Sequence, residues 1–188
     1  MKRRIPFALT TFRLLLGPVA LFCALSAAPR WVYLPILVLG TVSDILDGVL
    51  ARRFCVATPF LRRYDSVTDL IFYGFILAIV WILRRPVLSS TAWAIFVLLL
   101  SEAACIAVCY IRFARYPATH SYLAKFYGLC LPGGALALLV FNASGWVLVA
   151  LMVVAVVTNL EIIAIHLVMD LPPVDIPSIF TLRKRSAA

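Results

Sequence analysis

Charge is scarce in this chain. Asp, Glu, Lys and Arg make up 13% of its 188 residues, against 64% apolar, and the mean hydropathy is +1.07. That balance excludes an ordinary soluble domain and fits a polytopic helical membrane protein. Histidine occurs twice and cysteine five times, with no C-x-x-C spacing. Zinc sites and disulfide frameworks are thereby disfavoured, and the cysteines at 23, 55, 105, 109 and 130 read as small packing residues within apolar runs. Internal repeats and low-complexity segments are absent. No A-x-A-like cleavage site follows the basic Lys2-Arg3-Arg4, so the first apolar run reads as a retained helix. The length suits one membrane-embedded domain over residues 1–188 and leaves no room for a second folded domain of ordinary size.

What the chain does have is apolar runs of membrane-crossing length. The expected fold class is all-α, a polytopic membrane protein with six transmembrane helices and a short N-terminal interfacial helix. Residues 1–9, basic and then mixed with Pro6 among them, supply the interfacial helix. The spans are expected near 11–28, 31–44 (the helix continuing to Arg53), 65–84, 91–112, 123–141 and 146–168. Thr58-Pro59 breaks the second helix, and Pro132-Gly133-Gly134 signals a kink or a close helix contact in the fifth.

Six spans put both termini on one side, together with 14 of the 17 Lys and Arg residues; Arg30, Arg84 and Arg85 fall opposite. The positive-inside rule then places both termini and the acidic stretch described next at the cytoplasmic face. The net charge of +9 sits in short loops between apolar runs. It answers to topology and anionic headgroups of the lipid bilayer, and no nucleic-acid partner is expected.

Of the eight acidic residues, four fall within the 26 positions from Asp44 to Asp69. Asp44 and Asp47 are three apart and Asp65 and Asp69 four apart, so on helices each pair shares a face. Both pairs abut apolar runs, where carboxylates are costly and mark ion or substrate sites. Four such groups cannot all stay ionised without positive charge among them, and Arg52 alone is insufficient. One or two divalent cations with oxygen ligands answer this, Mg2+ or Mn2+ rather than zinc, since no Cys or His accompanies the acids. Such ions commonly clamp a diphosphate and neutralise a leaving group. Gly48 and Ala51 keep the adjoining helix face slim for a ligand. Surface ion pairing with Arg52, Arg53, Arg62 and Arg63 would account for one Asp but poorly for four.

The same residues carry a family resemblance. The segment resembles the CDP-alcohol phosphotransferase signature D-x2-D-G-x2-A-R-x8-G-x3-D-x3-D, matched by Asp44, Asp47, Gly48, Ala51, Arg52, Asp65 and Asp69 with every spacing kept. Leu61 stands where the family has glycine. Residues from Pro6 to Pro18 resemble the P-N-x-x-T-x-x-R opening of bacterial phosphatidylglycerophosphate synthase-like members, with Phe7 where Asn is usual.

The resemblance implies an integral-membrane enzyme of phospholipid synthesis, in a bacterial inner membrane. It would move a phosphatidyl group from a CDP-linked lipid such as CDP-diacylglycerol to an alcohol acceptor and release CMP. Asp44, Asp47, Asp65 and Asp69 would surround two metal ions; Asp47, Gly48, Ala51 and Arg52 would line the CDP pocket; Asp69 would take the proton of the attacking hydroxyl. A homodimer is the state in which family members often occur. Leu61 motivates an alternative, a non-catalytic member that binds CDP-lipid or metal without turnover. A metal-ion carrier would place its ligands near the midplane on broken helices.

Arg112, Arg115 and Lys125, with His120, gather between the fourth and fifth spans, where cations could bind the phosphate of an acceptor such as glycerol 3-phosphate. Plain topogenic charge explains them equally well. His166 reads as an interhelical hydrogen-bond partner, and Glu102 and Glu161 as intramembrane acids engaged in structural pairing.

Overall fold

A computed structural model describes residues 5–54, 56, 58–114, 121–169 and 178. Among these the secondary structure is helical. Six α-helices follow in order: α1 Ile5–Leu25, α2 Tyr33–Arg53, α3 Pro59–Ser90, α4 Ala92–Phe113, α5 Tyr122–Leu139 and α6 Trp146–Val168. A single 3-10 turn, Arg30–Val32, leads into α2. All six helices are long and apolar enough to cross a membrane, which makes the chain an integral membrane protein.

The interfacial helix expected over residues 1–9 is not a separate element among the described residues. α1 runs unbroken from Ile5, so residues 5–9 are the opening turns of the first span, and residues 1–4 lie outside the described part. The physical reason is Pro6, which occupies the first turn, where a missing N–H costs nothing and a fixed φ favours helix. The third apolar span, Val67–Ser90, starts close to the expected residue 65, and its helix extends before it. Pro59 opens it, and Thr58 Oγ1 accepts the Leu61 N–H at 3.2 Å, the bond a helix start needs. At its far end α3 bends at Arg84 (φ −131°, ψ 29°) and continues to Ser90. The Arg84 guanidinium there donates to the carbonyls of Asn142 (3.1 Å) and Ala143 (2.6 Å).

The chain forms two compact units, residues 1–88 with 135–143, and residues 89–134 with 144–188. In the first, α1 packs on α2, and glycines let α3 approach both. A methyl group on Gly17 would collide with the Phe75 ring, and one on Gly40 would lie 2.9 Å from the Phe72 ring. Small residues thus take the place that side-chain bulk would occupy, as helix association in lipid requires.

In the second unit α4 packs on α6. Cys105 and Cys109 are buried against Ile162 and free of disulfides, and Asn159 Nδ2 donates to Ser101 Oγ at 3.0 Å across the pair. The close contact signalled by Pro132-Gly133-Gly134 is at Gly134, which lies under Leu151. His166, expected to bond across helices, has its Nδ1 2.8 Å from the Ile162 carbonyl of its own helix, the bond seen among the described residues. Glu161 pairs with Ser178, whose hydroxyl donates to Oε1 at 2.9 Å.

A carboxylate cage closed by an arginine

The site lies in the first unit, where the start of α1, the end of α2 and the start of α3 meet. Its centre is Arg13, on the third turn of α1, with a side chain only 2% exposed. Nη1 donates to Asp44 Oδ1 at 2.5 Å. Nη2 donates to Asp65 Oδ1 and lies 2.9 Å from Asp69 Oδ1 and 3.8 Å from Asp47 Oδ2. One guanidinium therefore gathers all four carboxylates of the Asp44–Asp69 stretch. A planar fork of donors is suited to bridging several carboxylates at once.

The cage has a floor and a mouth. Asp47 is buried, as is Thr10, one turn before Arg13. The Thr10 hydroxyl lies 2.8 Å from Asp47 Oδ2 and 3.0 Å from the Pro6 carbonyl, and its single proton is best used by the charged acceptor. Asp44, Asp65 and Asp69 keep between a third and a half of their side-chain surface exposed, so access is from their side.

An aromatic stack borders the cage. Phe7 stacks on Tyr64 at 4.8 Å between ring centroids, Phe60 stacks on the same ring at 6.4 Å, and Tyr64 Oη shares a hydrogen bond with Thr11 Oγ1 at 3.0 Å. Phe7, which stands where the P-N-x-x-T-x-x-R opening has Asn, thus ties α1 to α3. Leu61, the other departure, sits half-buried in the first turn of α3 with no positive φ. The backbone makes no demand for glycine there.

The donor set fits a hard divalent cation. One carboxylate oxygen from each of Asp44, Asp47 and Asp65 lies within 4.8 Å of the others. Oxygen ligands about 2.0–2.1 Å from a common Mg2+ centre stand roughly 4 Å apart across it, so the spread is close to what an ion would draw in. The donors are all oxygen, with neither thiolate nor imidazole among them.

Of the other residues expected at the site, Ala51 is buried on the last turn of α2 and Arg52 is exposed. The Arg52 side chain folds back along its helix, Nη1 lying 3.7 Å from where a methyl on Gly48 would be. Arg112 and Lys125 belong to the second unit. Arg112 donates to the Met169 carbonyl at 3.1 Å, and the exposed Lys125 lies over the Tyr122 ring at 5.7 Å. Arg115 and His120 lie outside the described residues. Within the first unit the described structure gathers the four acids.

Arg13, which the sequence offers only as the Arg of the P-N-x-x-T-x-x-R-like opening and as a basic residue on the positive side, supplies the positive charge the four acids need. The signal was available: an arginine inside the 21-residue helix α1 must find a partner, and half of the chain's eight acids lie in this one stretch.

Six apolar helices and a cluster of acids on two of them define an integral membrane protein with a candidate divalent-cation site. The profile of the CDP-alcohol phosphatidyltransferase family matches residues 3–167, across nearly the whole chain, and the protein belongs to that family. Membership makes it a transferase acting on a CDP-alcohol, in a family that is generally divalent-metal dependent. No curated protein and no solved structure gives a significant match to this chain.

Proposed function

We propose that the protein transfers the phosphatidyl group of a CDP-linked lipid such as CDP-diacylglycerol to an alcohol, releasing CMP, in the cytoplasmic leaflet of a bacterial inner membrane. The convergence of Asp44, Asp47, Asp65 and Asp69 on one point carries this reading. These four would hold two Mg2+ or Mn2+ ions. When bound, the ions supply the charge that neutralises the diphosphate and the departing CMP.

The chain's own groups do the rest. Asp47, Gly48, Ala51 and Arg52 line the CDP pocket, where the slim face of α2 admits the ligand close to the backbone. Asp69, whose Oδ1 lies 2.9 Å from Arg13 Nη2, accepts the proton of the acceptor hydroxyl. The hydroxyl oxygen attacks the lipid-side phosphorus, the phosphorus–oxygen bond to CMP breaks, and the proton passes to Asp69. Arg112, Arg115 and Lys125 would bind the phosphate of an acceptor such as glycerol 3-phosphate. Both termini lie on the cytoplasmic side by the positive-inside rule, and a homodimer is the expected assembly.

The alternative of a non-catalytic binder rests on Leu61. Its regular helical setting in α3 favours the catalytic reading, because nothing in the local backbone is deformed by the leucine. The deciding experiment measures CMP release by purified protein from CDP-diacylglycerol with Mg2+ and a panel of polar alcohols. Release with at least one alcohol supports the enzyme; CDP-lipid binding with no release across the panel supports the binder.

A further inference from the structure

We infer that Arg13 is the resident counter-cation of the carboxylate cage and that divalent metal loads by competing with it for the same acids. The inference rests on the metal-binding part of the proposed function. It adds a residue that belongs to none of the metal, nucleotide or acceptor positions.

Three observations carry it. The guanidinium is enclosed, with its side chain 2% exposed, and contacts Asp44, Asp65 and Asp69 directly, with Asp47 at 3.8 Å. Three of those four acids are also the set whose oxygens lie close enough together to share a metal ion. Finally, Arg13 Nε is buried with no acceptor, so the side chain is held in place by its two terminal nitrogens and the acids they grip.

Charge explains why both cannot be fully engaged. Four carboxylates and one guanidinium leave three negative charges uncompensated, which is enough to draw a divalent ion in. Two divalent ions neutralise the four acids alone and leave the guanidinium with no carboxylate charge to answer. A guanidinium a few ångströms from a metal ion then repels it, and because Arg13 itself is enclosed, water screens that repulsion only in part. Without metal, however, Arg13 keeps four like charges from driving the helix ends apart. The residue therefore stabilises the empty protein and lowers its affinity for metal, so that tight loading awaits a ligand such as a diphosphate whose negative charge compensates both.

The test uses the full-length protein in detergent, with Mn2+ binding read by electron paramagnetic resonance and thermal unfolding read with EDTA or Mg2+. Arg13→Gln keeps hydrogen-bonding capacity and removes the charge; Arg13→Lys keeps the charge. The expected results are Mn2+ affinity raised roughly tenfold or more in Arg13→Gln and near wild type in Arg13→Lys. In EDTA, Arg13→Gln should unfold at a lower temperature than wild type and gain more from Mg2+. Mn2+ affinity unchanged or weakened in Arg13→Gln would overturn the competition while leaving metal binding in place. Absence of Mn2+ binding in wild type and both variants would overturn the metal reading together with it. Should Arg13→Gln not fold, Arg13→Lys decides: tighter Mn2+ binding than wild type would show that bridging geometry, not charge, sets the affinity, and would overturn the inference.

Discussion

Thr10 Oγ1 lies 2.8 Å from Asp47 Oδ2, joining the second turn of α1 to the end of α2 at the buried floor of the cage. Asp47 is the one acid of the four that water reaches least, so this bond does more for it than a solvated one would. Thr10→Val keeps the shape and removes the donor. A hydrogen bond to a charged group contributes about 1.5–3 kcal/mol, so unfolding at a lower temperature is expected, with weakened Mn2+ binding. Unfolding and Mn2+ titration check both, and Thr10→Ser should restore them in part.

Asp69→Asn keeps the side chain's volume and its oxygen towards Arg13, but an amide cannot accept the acceptor hydroxyl's proton. CMP release should fall at least a hundredfold, within the ~10²–10⁴ that general base catalysis supplies. Expression and Mn2+ binding should persist, since Asp44, Asp47 and Asp65 still lie within 4.8 Å of one another. Wild-type turnover in this variant would remove Asp69 from its assigned role.

The six spans were legible because hydropathy and length decide them, and α6, Trp146–Val168, has the bounds its turn and apolar run predict. Residues 5–9, expected in an interfacial helix, instead open α1, since proline is at home in a first turn. The four acids were legible as a cluster from spacing on two helices. Their cation was not, because Arg13 lies 31 residues from Asp44 and 52 from Asp65, and helical periodicity says nothing about contacts between helices. The cost of an unpaired charge in an apolar helix, together with Arg13's place in the P-N-x-x-T-x-x-R-like opening, was the signal for it.

Leu61→Gly restores the family's residue in the first turn of α3. Glycine in a helix costs about 0.5–1 kcal/mol relative to alanine, so a small loss of stability is expected. CMP release should hold or rise, because a slimmer helix start admits the donor more easily. A collapse of activity would show that the leucine side chain, half-buried in the first turn of α3, is adapted to this protein's own substrate.

Phe7→Asn removes the ring that stacks on Tyr64 at 4.8 Å. Such a pair contributes about 0.5–1.5 kcal/mol beyond its buried area, so the unfolding temperature should fall. Tyr64 keeps its bond to Thr11 and its stack on Phe60, so activity should survive. Loss of activity larger than the loss of stability would assign Phe7 to the donor pocket.

Two glycines of α2 separate the roles of packing and of ligand access. At Gly40 an added methyl lies 2.9 Å from the Phe72 ring, whereas at Gly48 it meets only the tip of Arg52 at 3.7 Å. Gly40→Ala must push α2 and α3 apart, and overpacking costs about 1–3 kcal/mol. Because those helices carry Asp44, Asp47, Asp65 and Asp69, unfolding temperature, Mn2+ affinity and CMP release should all fall together. Phe72→Leu in the same chain should restore them by giving the methyl room. Gly48→Ala meets no such obstacle, and alanine raises helix propensity by up to about 1 kcal/mol, so stability should hold or rise. If Gly48 lines the CDP pocket, CMP release should nevertheless drop while Mn2+ binding stays. Unchanged release in Gly48→Ala would place the nucleotide elsewhere than on this face of α2.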